Sequence, residues 1–365
     1  MGVSAALGSS ALLPAGLGFR NKIINGAMTI SQRGTSAISN VAANDAYGTD
    51  RWHLYGSSAS KMTITQSTTN PTGQGFSNST VVTSSAATTP GSGDFYGFRQ
   101  YIEGYNITDL AWGTSGAKPI VISFWVRSSI VGTYCLSLIN SGNNRTLIST
   151  YAISVADTWE KKIVYITAGE TTGTWETGNG IGVGVWFDLG SGTGGNGTAG
   201  VWNTSLLTRT SGSVNWIGTN GATFYITGVQ LEQNYQPTPF EQRPIGVELE
   251  LCQRYYEDSV TALGVACSYA AGLGGNTYVS AVFFKVPKRI VMTVLNGLTD
   301  GSGVLRLFDA VLFTVGSVAL YRGGWAHPTT VNADLHNTFG FSLTTQGSTT
   351  DAAMAWFRYT ANAEL

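Results

Sequence analysis

The sequence predicts an all-β protein: a jelly-roll β-sandwich, a short linker helix and a second, smaller C-terminal β-sandwich. Three observations point there. Glycine is abundant, with 47 in 365 residues, and only 11% of residues are charged, against about 25% in an average globular domain. Short apolar or alternating runs recur along the chain, bounded by Gly, Ser, Asn or Thr clusters. One stretch, opening at Pro244, changes to helical spacing.

Taken in order, residues 1–20 are small and apolar and cannot build a core, so they are expected to become ordered only on a larger assembly. They imitate a secretory signal but lack its basic start. Residues 21–236 form the first domain. Ile24, Ala27/Met28 and Ile30 predict a first strand within 21–32, and Trp52 and Leu54 begin a second. Further strands are expected at 61–66, 78–83, 95–102, 120–127, 133–140, 147–155, 159–167, 181–188 and 214–218. In the closing strand, 223–232, Phe224, Ile226, Val229 and Leu231 alternate apart from a one-residue slip at Gly228, the mark of a bulge.

Residues 237–258 are linker and helix. Pro237, Pro239 and Pro244 take the chain out of the sheet. Ile245, Leu249, Cys252 and Tyr256 then fall on one helical face, with Val247, Leu251 and Tyr255 beside it. So wide an apolar surface fits packing around a molecular axis with symmetry mates; the alternative is that the helix plugs the space between the sandwiches of its own chain. Residues 259–365 form the C-terminal domain, with strands expected at 277–285, 290–296, 304–307, 311–314, 318–322, 335–343 and 353–360. Its apolar positions suit burial in an oligomer. There is no fixed-period repeat.

Composition excludes several functions. A net charge of -1 without a Lys/Arg run gives no footprint for nucleic acid. No apolar run reaches the about 18 residues of a membrane span. Cys135, Cys252 and Cys267 have no paired spacing, which predicts buried free thiols rather than disulfides or a zinc site. His53, His327 and His336 make no metal-ligand motif, and the Gly190–Gly197 cluster has no Lys-Ser/Thr partner to cradle phosphate. No catalytic residues and no cofactor are assigned.

Sugar binding needs flat apolar faces beside polar groups, and 10 Trp with 16 Tyr supply candidates. Trp52, Trp125, Trp159, Trp186 and Trp356 lie within strand patterns and are read as core. Tyr96, Trp112, Trp175 and Trp202 fall beside Gly-rich loops and are the candidate ligand platform, with loop anchoring as the alternative.

Several motifs extend this. Asn21-Lys-Ile-Ile-Asn-Gly-Ala-Met-Thr-Ile-Ser-Gln-Arg-Gly34, Tyr47-Gly-Thr-Asp-Arg-Trp52, Gln230-Leu-Glu232, Thr238-Pro-Phe-Glu241, Arg243-Pro-Ile-Gly246 and Leu251-Cys-Gln-Arg-Tyr-Tyr256 stand in this order, followed by Phe283-Phe-Lys-Val-Pro-Lys-Arg289 and Thr360-Ala-Asn-Ala-Glu-Leu365. Together they resemble a group of bacteriophage virion proteins described as tail fibre or receptor-binding proteins. More loosely, Ser123-Phe-Trp-Val-Arg-Ser-Ser129, Thr158-Trp-Glu-Lys161 and the 223–232 strand resemble jelly-roll carbohydrate-binding modules. Such modules often hold a structural calcium ion near the sheet ends, for which Asp188 and Glu232 are available, unless they are ordinary structural carboxylates.

The resemblance implies a non-enzymatic homotrimeric tail fibre, assembled in the host cytoplasm, attached to other virion proteins through residues 1–20 and binding host-surface glycan. A capsid head fibre or decoration protein is the alternative, and a polysaccharide depolymerase a more distant one.

Overall fold

The structure, a computed structural model, describes residues 19–258, 266–274, 277–283, 285–289, 318–322, 324–325, 330–334, 340–346, 353–357 and 360–365; from 258 to 361, side chains are described only for 285–289. The arm at 1–18 and the expected strands at 290–296, 304–307 and 311–314 lie outside these residues.

Residues 21–236 build the expected sandwich. Its strands are β1 (Ile38–Ser39), β2 (Ala46–Tyr47), β3 (His53–Gly56), β4 (Met62–Ser67), β5 (Ser79–Ser84), β6 (Tyr96–Glu103), β7 (Ile120–Ser128), β8 (Gly132–Ile139), β9 (Thr146–Ile153), β10 (Glu160–Ile166), β11 (Ile181–Asp188), β12 (Trp202–Asn203) and β13 (Thr223–Glu232). One sheet has the order β1-β4-β5-β13-β7-β10, the other β12-β9-β8-β11-β6-β3-β2. Alternate residues of both sheets fill one core, in which Phe124 and Phe224 of the first sheet pack against Phe187 of the second at ring separations of 5.2 and 6.4 Å.

The bulge falls where the slip in alternation places it. Gly228 has φ 63°, where a side chain is strained, and the β13–β7 register shifts between Thr227 and Gln230. Two expected strands do not form. Residues 214–218 hold a 3-10 turn, Trp216–Gly218, whose buried Trp216 and Ile217 close the end of the core. Residues 21–32 contain no strand, since Asn25 and Met28 take φ values of 56° and 58°.

This segment still serves in place of a strand. β5 pairs with β13 only as far as Ile226, and beyond that point residues 21–26 satisfy β13's backbone. Lys22 N donates to Leu231 O at 2.8 Å and Val229 N to Gly26 O at 3.0 Å. The Asn21 amide supplies the remaining bonds, Nδ2 donating to Val229 O and Oδ1 accepting from Leu231 N.

Helix α1 (Ile245–Gln253) follows the linker and ends before the tyrosine pair. Tyr256 therefore leaves the helical stripe and opens β14 (Tyr256–Asp258). Cys252 is fully buried against Ile24, Ile30 and Tyr255 of its own chain, with Leu249 partly buried beside them, whereas Ile245 is 62% exposed. The expected four-residue face is thus not one surface: the helix packs on the N-terminal segment of its own chain. Beyond it lie β15 (Ala266–Gly274), β16 (Thr277–Phe283), β17 (Val318–Arg322), β18 (Gly324–Trp325), β19 (Thr330–Asp334), β20 (Gly340–Gln346), β21 (Ala353–Phe357) and β22 (Thr360–Asn362). β15–β21 join in the order β18-β17-β21-β15-β16-β20-β19, and β15 bridges two groups, pairing β21 through its first half and β16 through its second.

The chain returns to the sandwich at its last residues. β22 pairs with β14, and Ala363 N donates to Tyr255 O. The Glu364 carboxylate pairs with the buried Arg51 guanidinium and, at 3.3 Å, with Arg33. Arg51 stacks 3.5 Å from the centre of the Tyr255 ring, and Tyr255 and Arg254 both donate to buried Glu103, at 2.7 and 2.6 Å. Lys288 pairs with Glu257 at 2.6 Å, and Arg289 donates to Ala363 O at 2.9 Å and to Glu364 O at 3.0 Å.

Removing one partner of a buried pair leaves an uncompensated charge, so Glu364→Gln is expected to lower unfolding free energy by about 3 kcal/mol in urea titration. The double change Arg51→Met/Glu364→Leu should recover most of that loss; a wild-type midpoint for Glu364→Gln would remove the pair's structural role. Burial pushes the Asp50 carboxyl up to about 6, against the opposing pull of Arg33 and Gln32. The native state thus retains a proton that the unfolded chain loses at about 3.9. Asp50's contribution to stability is full below about pH 4 and is lost as pH rises through about 6. Melting temperatures of Asp50→Asn across that window should lack this slope.

Candidate functional site

The outer face of the sandwich's seven-stranded sheet, β12-β9-β8-β11-β6-β3-β2, carries a cleft of about 290 Å³. Strand register builds it. Across β3, β6 and β11, Tyr55 pairs with Gly97 and Gly97 with Asp188; His53 pairs with Arg99 and Arg99 with Trp186; Tyr101 pairs with Gly184. Period-two alternation puts these residues on the face opposite Phe98, Val185 and Phe187, which point into the core.

Tyr55, Arg99, Tyr101, Gly184 and Trp186 line the floor, Ile139 and Asn143 one end, and Leu206 and Thr208 a wall. That wall is the segment after β11, which covers the outer side of β8 and β9: Ser137 Oγ donates to Thr208 O at 2.9 Å and Thr146 Oγ1 to Ser205 O at 2.8 Å.

Arg99 is the centre of the floor. Its guanidinium carbon lies 4.6 Å from the ring centres of both Tyr55 and Tyr101 and 5.2 Å from that of Trp186. Its Nε donates to His53 Nε2 at 2.7 Å and its Nη2 pairs with Asp45. Burial, with Arg99, Arg51 and Arg33 nearby, holds His53 well below its usual range. His53 is therefore the neutral tautomer, whose Nε2 accepts and fixes the arginine. Burial raises the Tyr101 hydroxyl to about 12, so it remains a donor.

Gly97 is required by the approach of Trp186. A Cβ there would lie 2.3 Å from the indole, closer than any contact packing tolerates. The aromatic floor exists because one strand withholds a side chain beneath it.

The residues singled out from sequence lie elsewhere. Trp112, Trp175 and Trp202 do meet, with ring centres 4.8, 5.5 and 5.7 Å apart, but edge to face. Trp112 and Trp175 are 6% and 7% exposed, and their indole N–H groups donate to Lys118 O and Thr172 O. They anchor loops to each other rather than present a flat face. Tyr96 is fully buried between the sheets, out of reach of any surface ligand.

Trp186 is buried, as its strand pattern predicts, but on the cleft side of β11 rather than between the sheets, and Tyr55, Arg99 and Tyr101 beside it carry no signal of their own in the strand pattern. A mid-strand glycine beside an aromatic in Tyr96-Gly-Phe-Arg-Gln-Tyr101 and Gly182-Val-Gly-Val-Trp186 was the available signal.

The two acidic residues considered for a calcium ion stand on different sheets. Asp188, its pKa raised by burial, accepts from Gly190 N and Ser191 N, both at 3.2 Å. Glu232 accepts from Thr238 N and Oγ1, both at 2.8 Å. Among the described residues no three His, Cys, Asp or Glu side chains cluster as metal ligands.

No protein-family model matches the chain, and no curated protein matches it. Among solved structures it is similar to the enzymatically active domain of bacteriophage CBA120 tailspike protein 4, with 15% identity, 59% of this chain and 21% of that one covered, and a TM-score of 0.31. It is also similar to the CBM22-1–GH10 modules of Clostridium thermocellum xylanase 10B, in complex with xylohexaose: 13% identity, 53% and 28% covered, TM-score 0.29. A third is the family 11 carbohydrate-binding module of Clostridium thermocellum, in complex with a β-1,3-1,4-mixed-linked tetrasaccharide: 10% identity, 56% and 99% covered, TM-score 0.27. The chain thus spans under a third of the first two. At these scores the likeness is loose, and the chemistry of the cleft stands on its own residues.

Gly97→Ala should force Trp186 out of place, lowering stability by about 1–3 kcal/mol and changing the near-ultraviolet dichroism of the folded protein. An unchanged spectrum would mean that the indole does not rest on Gly97.

Proposed function

We propose that this chain is a non-enzymatic glycan-recognition protein of a tailed bacteriophage, an oligomeric tail fibre that contacts the host surface through the cleft on its seven-stranded sheet. The observation that carries glycan binding is the floor itself: two partly exposed tyrosines beside one fixed arginine, backed by a buried tryptophan, in a concavity of about 290 Å³. Aromatic faces receive the C–H surface of a pyranose, while Arg99, Asn143 and Thr208 supply hydrogen bonds to hydroxyls. The volume suits one or two sugar rings, so affinity per site is modest and gains from several copies acting together. The motifs shared with phage fibre proteins support placement on the virion, with residues 1–20 as the attachment arm and a homotrimer as the assembly.

Two experiments test this. Tyr55→Ala and Tyr101→Ala should each weaken binding on a glycan array about tenfold or more, as loss of a stacking ring does, while Trp112→Phe leaves binding unchanged; equal binding by all variants would rule out the cleft. The copy number of the chain per purified particle, by quantitative mass spectrometry against the major capsid protein, should be a small multiple of three. Tens to hundreds of copies would replace the fibre with a capsid decoration, and release of sugar from host polysaccharide would make it a depolymerase.

A further inference from the structure

On the footing that the cleft is a glycan site, we propose that its glycan is acidic and that the sugar carboxylate is received by the Arg99 guanidinium. Of the residues lining the cleft, Arg99 alone is charged. Its fork is only partly used: Nε is committed to His53 and Nη2 to Asp45, and Nη1 has no partner among the described residues. Asp45 is not among the lining residues, so it holds the guanidinium from outside the cleft and leaves the inner edge to a ligand.

The rest of the floor is rich in donors. Tyr55, Asn143 and Thr208 line it with hydroxyl and amide groups that can donate, whereas the indole N–H of Trp186, without an acceptor among the described residues, is itself closed to solvent. The Tyr101 hydroxyl is kept protonated by burial. A carboxylate offers two oxygens with about four lone-pair sites and no donor, the complement of this set, and pairs with guanidinium by charge-assisted bonds.

Preorganisation points the same way. Three rings and His53 fix the guanidinium plane before any ligand arrives, so little side-chain entropy is lost on binding. Because Asp45 balances its charge, the arginine acts through contact geometry rather than a long-range field, consistent with a chain whose net charge is -1.

The test uses the intact chain on an array of uronate- and neuraminate-containing glycans, each beside its methyl ester and a neutral counterpart. Expected are hits confined to the free acids, with affinity falling about tenfold or more on esterification. Calorimetry with the best acid, run on folded protein below its melting temperature, should show a similar loss for Arg99→Gln. Esters and neutral glycans binding as well as the acids would overturn the acidic ligand while leaving a glycan site in place. Silence across the whole array would overturn the glycan site itself. Should Arg99→Gln fail to fold, the ester comparison on the unaltered protein decides alone.

Discussion

The buried pairing of Arg51 with Glu364 is the constraint on which the rest of the molecule depends. A guanidinium and a carboxylate withdrawn from water are tolerable only if each is held by the other and by further bonds. That requirement brings distant parts of the chain together. Arg51 also donates to Tyr101 O and stacks on Tyr255, and Glu364 also takes Arg33. Arg33 in turn lies 3.6 Å from the centre of the Tyr256 ring. The N-terminal segment, the first strands of the sandwich, the end of α1 and the last residues of the chain are thus fixed in one place.

The motifs that carry the resemblance to phage fibre proteins converge on this junction, which gives them a physical meaning that spacing alone did not. Asn21 and Asn25 look like loop residues; Asn21 completes the backbone of β13, and Asn25 bonds to both Ile30 and Asp50. In Tyr47-Gly-Thr-Asp-Arg-Trp52, Tyr47 donates to Leu365 O, Asp50 binds Gln32, Arg51 takes Glu364 and Trp52 donates to Asn25 O. Lys288 and Arg289 seat the later return of the chain. These residues read as an interface within one chain rather than as a ligand site.

How much was legible follows from the kind of interaction involved. Strands whose apolar residues alternate, β11 and β13 above all, were placed to the residue, because the face turned to the core imposes a period that sequence displays even where the other face is covered too. The bulge at Gly228 was visible for the same reason, as a break in that period. Residues 21–32 misled because their apolar residues also alternate, while two asparagine side chains hold them in turns, Asn21 by bonds to β13 far along the chain and Asn25 by bonds to Ile30 and Asp50. The helix was found, but its burial was misjudged: Glu248, polar in any sequence count, is buried because its carboxylate accepts from Asn25 N and faces Arg243. The cleft was least legible, since it depends on which residues stand opposite one another across three strands. His53, Arg99 and Trp186 are separated by tens of residues and meet only through register.

The two outer faces of the sandwich divide the work. In the six-stranded sheet, residues 21–26 lie beside the second half of β13 and the linker covers its outward side chains, where Gln230 and Glu232 bond to Thr238 and Glu241 N bonds to Gln230. Over the sheet that contains β6, the segment after β11 covers β8 and β9 and stops at Leu206 and Thr208, leaving Tyr55, Arg99 and Tyr101 of β3 and β6 partly exposed. Part of the first face goes into holding the chain together, although Ile163 and Tyr165 of β10 stay 38% and 48% exposed on it, and part of the second shapes a floor. Tyr101 belongs to both: its backbone carbonyl accepts from Arg51 of the junction and its ring lies beside Arg99 of the cleft. The position of that ring is therefore tied to the ion pair at the junction, and the geometry of the cleft is inherited from the same contacts that close the chain.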